Sequence, residues 1–258
     1  MASREYFEEF EVDLPSALIE QLVSLFYEMA SGLLSPSAVE EKVPEAQGVY
    51  QIYHRDNLVY VGKTDSEAGL KKRLLRHTKM IRGRRNLDPN DVGFKAVRVY
   101  VFTAMDLEQL LIQKYKSLGE TLDWNNSGFG ANDPGRERDT TAWSDSHFSY
   151  KFPIDLSAEV DLSGLGATPS AYEVLCHLKQ ELPYTVRFAN SGGRSRKPHA
   201  ELQRAMVTLP SGANAKTIRE VLKAVAKALG DKWQITPLPG YIIIYRERKV
   251  YEYRLEEI

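Results

Sequence analysis

The stretch Gly48–Thr64, GVYQIYHRDNLVYVGKT, constrains the fold more than any other part of the chain. Two short runs rich in aromatic and β-branched residues flank a polar turn, which is the pattern of a β-hairpin. Each run sets a tyrosine beside a glycine, Gly48-Val49-Tyr50 before the turn and Tyr60-Val61-Gly62 after it. Two registers are open. A His54-Arg55-Asp56 loop places Tyr50 directly across from Tyr60, with both phenols on one face. A two-residue Asp56-Asn57 turn places Lys63 opposite Tyr50 instead.

Helical periodicity surrounds this hairpin. Residues 15–30 carry Leu18, Ile19, Leu22, Leu25, Phe26 and Met29 at helical spacing, with Pro15 in the first turn and Gly32 after the end. A second helix is expected from Ser35-Pro36, with Ser37 and Glu40 in capping-box spacing. Residues 68–82 read as a basic amphipathic helix, 94–102 as a strand, and 106–118 as a helix capped by Asp106. RGRRNLDPND is a turn-rich loop, and the glycines and asparagines of 123–146 exclude a long regular element. SAEVDLSGLGATPS reads as a linker. Beyond it come helix 169–181, strand YTVRFA, basic loop SGGRSRKP, strand LQRAMVTL, helix 214–229 and three terminal strands, KWQIT, YIIIYRER and VYEYRL.

The fold class is therefore α+β. Four segments are expected: an N-terminal helical arm (1–44), a small sheet flanked by helices (45–150), a linker (151–168) and a C-terminal α+β module (169–258). The last is a candidate for DNA binding or dimerisation. A chain of 258 residues with 43% hydrophobic and 27% charged residues is globular in composition. The single cysteine, Cys176, excludes an internal disulfide. The first residues lack the basic-then-apolar order of a secretory leader, so a cytoplasmic location is expected. Net charge is −1, but Lys71–Arg85 holds eight Lys or Arg and no acid. A local basic face matters more for phosphate binding than the total.

Six residues suited to phosphodiester chemistry fall in order on these elements. Tyr50 and Tyr60 lie on the hairpin. Arg73 and His77 are four apart on the basic helix, hence on one face. Glu108 sits in the first turn of the next helix, and Asn125 follows Trp124 at the head of the Gly-rich loop. Each alone has a plainer reading: packing tyrosines, a solvated arginine, a surface histidine, a carboxylate on a helix dipole, a turn asparagine. The ordered set outweighs them.

The set resembles the GIY-YIG nuclease superfamily, with Gly48-Val49-Tyr50 and Tyr60-Val61-Gly62 as its two tripeptides, valine replacing isoleucine in both. Arg73-x-x-x-His77 and the run WNNSGFGANDPGRER, 124–138, resemble its type II restriction endonuclease branch. The resemblance covers about residues 45–145. It implies site-specific hydrolysis of double-stranded DNA at a short palindrome, with Mg²⁺ (or Mn²⁺) on Glu108. It also implies charge stabilisation by Arg73, Tyr50 as general base, Tyr60 orienting the water or phosphate, and His77 as proton acceptor. Asn125 would hold Glu108 or a phosphate oxygen in place. Contacts to DNA are expected from Lys63, Lys71, Lys72, Arg76, Arg82, Arg84, Arg85, Arg136 and Arg138. One site cuts one strand, so a homodimer is expected. A companion DNA methyltransferase acting on the same site is implied as well. The alternatives are a homing or structure-selective repair nuclease and a non-catalytic DNA-binding module.

Overall fold

The computed structural model describes residues 13–64, 69–100, 106–133, 135–192, 197–209 and 215–258. Its elements are mixed α and β, as the α+β reading requires. The chain divides into two compact units: Met1–Leu75 with Asn90–Leu122, and Arg76–Pro89 with Asp123–Ile258. The expected 45–150 segment thus contributes to both. Among the described residues, no helix is long and apolar enough to cross a membrane.

The first unit opens with α1 (Leu14–Glu28), capped by the Asp13 side chain, which accepts from Ser16 N at 3.1 Å. A two-residue strand, β1 (Gly32–Leu33), precedes α2 (Pro36–Lys42). Here the cap is Ser35, which accepts from Ala38 N at 3.2 Å, and not the Ser37–Glu40 pair. Pro36 explains the shift, since proline suits the first helical position and puts the cap one residue earlier. The hairpin strands β2 (Gly48–His54) and β3 (Asn57–Thr64) follow, then α3 (Leu70–Met80), β4 (Val92–Arg98) and α4 (Leu107–Ser117). The expected strand 94–102 runs partly outside the described residues. The helix α3 begins in the first unit and ends in the second.

The sheet of the first unit has the order β1-β4-β2-β3 and is antiparallel throughout. Its apolar face packs Val49, Val61 and Leu58 with Ile19, Leu22, Val23 and Phe26 of α1 and Leu107, Leu111, Ile112 and Tyr115 of α4. The periodic apolar residues of the two helices supply that cover.

The hairpin register is neither of the two expected. The turn is Arg55-Asp56, both with positive φ (50° and 64°), flanked by the His54–Asn57 pair. Arg55 is held there by Asp91, whose carbonyl accepts from Arg55 N at 2.9 Å and whose carboxylate meets Arg55 Nε at 2.9 Å. The register then shifts between Ile52 and Tyr53, because Val59 is one residue too many on β3. Beyond this bulge Tyr60 pairs with Ile52 and Gly62 pairs with Tyr50. Tyr50, Ile52 and Tyr60 therefore share one face.

In the second unit, α5 (Phe148–Lys151), β5 (Glu159–Asp161), α6 (Ala171–Glu181), β6 (Thr185–Phe188), α7 (Ala200–Arg204), β7 (Ala215–Thr217), α8 (Ile218–Leu229), β8 (Gln234–Pro237) and β9 (Tyr241–Tyr245) follow in order. β6 runs parallel to β9, which is antiparallel to β8; β5 and β7 form a separate pair. Capping boxes start α6 (Ser170 with Glu173) and α8 (Thr217 with Glu220).

Three expectations change here. The segment read as a linker is part of the core: Ile154, Leu156, Val160 and Leu162 are buried with α6 and α8. Its backbone is also hydrogen-bonded, Asp155 N to Gly83 O at 2.9 Å and Ile218 N to Ala158 O at 3.0 Å. LQRAMVTL begins as helix α7, not strand. His199 Nδ1 accepts from Glu201 N, and Glu201 accepts from Trp233 Nε1 at 2.6 Å. VYEYRL forms turns and no strand, with Tyr251 Oη donating to Glu247 at 2.6 Å.

Candidate active site

Four of the six candidate residues come together in the first unit. Tyr50 is fully buried and Tyr60 nearly so, with ring centroids 6.0 Å apart. Arg73, one turn into α3, points its Nε at Tyr50 Oη, 3.4 Å away. Glu108 is half-buried in the first turn of α4. Asp106 caps that helix, accepting from Gln109 N at 3.3 Å, and also takes Lys63 Nζ at 2.9 Å. Lys63, expected to touch DNA, is thus engaged in an ion pair at the helix cap.

Gly62 makes the arrangement of the phenols possible. It stands directly opposite Tyr50, and a Cβ there would lie 2.5 Å from Tyr50 Cζ and Oη and 2.8 Å from Tyr60 Cε1. The hydrogen side chain leaves the space that the two rings occupy. Gly62→Ala is expected to leave the hairpin folded but displace both rings. DNA cleavage should fall by about a hundredfold, in line with a small misplacement of reacting groups. Circular dichroism and a cleavage assay on the same sample check this; an active Gly62→Ala protein would show that the rings need no fixed position.

Electrostatics oppose the charged states of the site. Burial pushes the Tyr50 phenol far above its ordinary range, the neighbouring Tyr60 adds to this, and the Arg73 guanidinium pulls the other way. Burial also raises Glu108, with the negative charge of Asp106 adding to it and Lys63 and Arg73 partly offsetting it. A carboxylate held above its usual range is one whose charge the protein alone does not satisfy. A single carboxylate completed by waters and phosphate oxygens is a common way to hold Mg²⁺. Among the described residues no cluster of three or more His, Cys, Asp or Glu offers a richer cage. The donor set fits one hard divalent cation on Glu108.

His77 and Asn125 belong to the second unit. His77 is buried and stacks on Phe129, ring centroids 4.7 Å apart. Asn125 is half-buried in the turn after Trp124.

The basic candidates divide. Lys72, Arg82, Arg85 and Arg138 are exposed, and Lys71 is half-exposed. Arg136 pairs with Glu247 at 2.7 Å and lies over the Tyr245 ring. Arg76 donates to Ala131 O and Asn132 Oδ1 at 2.7 and 2.9 Å. Arg84 departs from expectation: it is half-buried and its guanidinium is engaged within the protein, donating to Met80 O, Phe152 O and Pro239 O. Burial lowers its pKa to about 10. Two of the carbonyls that hold it, Phe152 O and Pro239 O, come from distant positions, which local spacing does not betray.

Residues 53–151 match the family model of the Eco29kI GIY-YIG domain. Over that span the chain is similar to a GIY-YIG nuclease domain of a restriction endonuclease family. The matched span begins just after Tyr50 and includes Tyr60, Arg73, His77, Glu108 and Asn125. GIY-YIG nucleases generally use divalent metals, and such a domain implies DNA as substrate. No curated protein sequence matches the chain.

Sequence patterning did not reveal the Arg187 network of the second unit. Arg187 on β6 donates to both oxygens of Asp139 at 2.8 and 2.9 Å and to Asp133 at 2.6 Å. It also reaches Tyr245 Oη at 3.0 Å. The network ties the DPG loop to the β6–β9 sheet. Its sequence signal is slight: Asp133 and Asp139 are two of three acids in the mixed-charge stretch 133–139.

Proposed function

We propose that this GIY-YIG domain belongs to a type II restriction endonuclease that hydrolyses both strands of DNA at a short palindromic site with Mg²⁺. The observation that carries this is the group formed by Tyr50, Arg73 and Glu108. A phenol, a guanidinium and a half-buried carboxylate with a raised pKa share one unit, and the last two lie in the span similar to the Eco29kI domain.

In the reaction, a water oxygen attacks phosphorus, the bond to the leaving 3′ oxygen breaks, and that oxygen ends protonated. Tyr50 takes the proton of the attacking water, which requires that its own proton has first gone. Arg73 favours that loss and then holds the charge that builds on the phosphate, for which a guanidinium's paired donors are suited. Tyr60 orients water or phosphate through its hydroxyl. Glu108 holds the divalent cation, which when bound offsets charge at the leaving oxygen. His77 and Asn125 keep the roles that the resemblance implies, as proton acceptor and as support for Glu108 or a phosphate oxygen. A homodimer would present two such sites to a palindrome.

The test is digestion of unmethylated phage DNA by the purified chain, with fragment ends sequenced and particle mass measured by light scattering. Discrete fragments that need Mg²⁺, a rate rising with pH as Tyr50 ionises, and a two-chain mass are expected. Ragged products, cutting confined to branched DNA, or no cutting would each sink the restriction reading.

A further inference from the structure

A cleft of about 730 Å³ lies wholly within the second unit, a size typical of ligand sites. Of its lining cations, Arg76 and Arg84 are held by protein acceptors. Lys79, Arg138 and Lys179 line it, all are exposed, and none has a carboxylate at ion-pair distance among the described residues. The one lining carboxylate, Asp133, is engaged by Arg187 at 2.6 Å. The aromatic side chains Trp143 and Tyr241 line it too, 6.1 Å apart between ring centroids. Tyr184 also lines it, and its buried hydroxyl has no hydrogen-bond partner among the described residues.

Phosphate-seeking cations together with aromatic faces are the means by which proteins hold an unstacked nucleic-acid strand. A duplex read through its grooves needs no aromatic platform. We infer that this cleft binds an unpaired stretch of DNA strand, with phosphates on Lys79, Arg138 and Lys179 and a base against the half-buried Trp143, which the buried Tyr241 backs. The choice of DNA among polyanions rests on the nuclease reading above. An unpaired stretch arises either at an end left by cleavage or when a base is drawn out of the duplex.

The experiment uses the full chain in EDTA, so that binding is measured without cleavage. A fluorescein-labelled short oligothymidylate is titrated by anisotropy, with inorganic phosphate and a blunt duplex as competitors. The wild type should bind the oligonucleotide, the duplex should compete poorly, and phosphate should compete only at far higher concentration. Lys79→Ser with Arg138→Ser should weaken binding at least about tenfold. It should also flatten the plot of log K against log salt by about 1.4, two phosphate contacts at about 0.7 each. Trp143→Ala should weaken binding with the salt slope unchanged, and it covers the case in which the double variant misfolds. Unchanged binding in both variants would overturn the inference, as would displacement by phosphate at oligonucleotide concentrations. The two readings fail separately. If phage DNA is never cut yet the variants lose oligonucleotide binding, the nuclease reading falls and the cleft stands. If DNA is cut and the variants bind as wild type, the cleft falls alone.

Discussion

Glu108→Gln is expected to reduce Mg²⁺-dependent cleavage by roughly a hundred- to a thousandfold, the scale on which removal of one preorganised electrostatic group acts. The same change should raise the melting temperature of the metal-free protein at neutral pH. The sign follows from the direction of the shift. Burial and Asp106 hold the Glu108 carboxyl above its ordinary range, so the native state disfavours the charged form. Stability associated with this group is present below the unfolded pKa and is lost as pH rises through the folded one. The neutral amide removes that loss, so the gain should vanish in acid, where the wild-type side chain is protonated. Added Mg²⁺ should raise the melting temperature of the wild type and leave the variant unmoved. A variant that melts lower than wild type at neutral pH would make Glu108 a helix-dipole partner, and its metal role would be lost with it.

Arg187→Ala should destabilise the second unit by about 3–5 kcal/mol, the cost of breaking a buried ion pair from one side. Asp139 is almost wholly buried, with its side chain 2% exposed, and the arginine supplies its charge partner. Tyr245→Phe removes only one hydrogen bond to Asp139 (3.1 Å) and one from Arg187, so about 1–2 kcal/mol is expected. Guanidinium denaturation of both variants measures the difference. A loss below about 1 kcal/mol for Arg187→Ala would mean that Asp139 is satisfied without it. Because the network joins residues 133–139 to β6 and β9, the C-terminal module cannot be removed without releasing the loop that carries Arg136 and Arg138.

Local spacing made most helices legible. Asp106 caps α4 as read, and the apolar stripes of α1, α4, α6 and α8 point into the cores as their periodicity requires. What depends on distant partners was hidden. Ser- and Gly-rich composition around 157–170 masked the alternation of Val160 and Leu162, which pack onto helices far along the chain. Arg84 resembled its exposed neighbours because two of the carbonyls that hold it lie far off, at Phe152 and Pro239. In the candidate site, motif and helix spacing indicated which residues to watch, and the fold brings Tyr50, Tyr60, Arg73 and Glu108 into one unit. The hairpin register was open in the sequence because a bulge carries no spacing signal of its own, and the turn residue Arg55 is held by Asp91, a partner well outside the hairpin.

That bulge gives the hairpin an arithmetic. In an unbulged hairpin closed by a two-residue turn, opposed residues are an odd number of positions apart, so residues an even number apart face opposite sides. Tyr50 and Tyr60 are an even number apart. The bulge at Val59 corrects the parity; a hairpin of the same length paired without a bulge would turn one phenol into the apolar layer beneath α1 and α4. The chain between the two tyrosines is therefore a counted length. A change of length by one there keeps the phenols on one face only where it adds or removes a bulge, as loss of Val59 itself would.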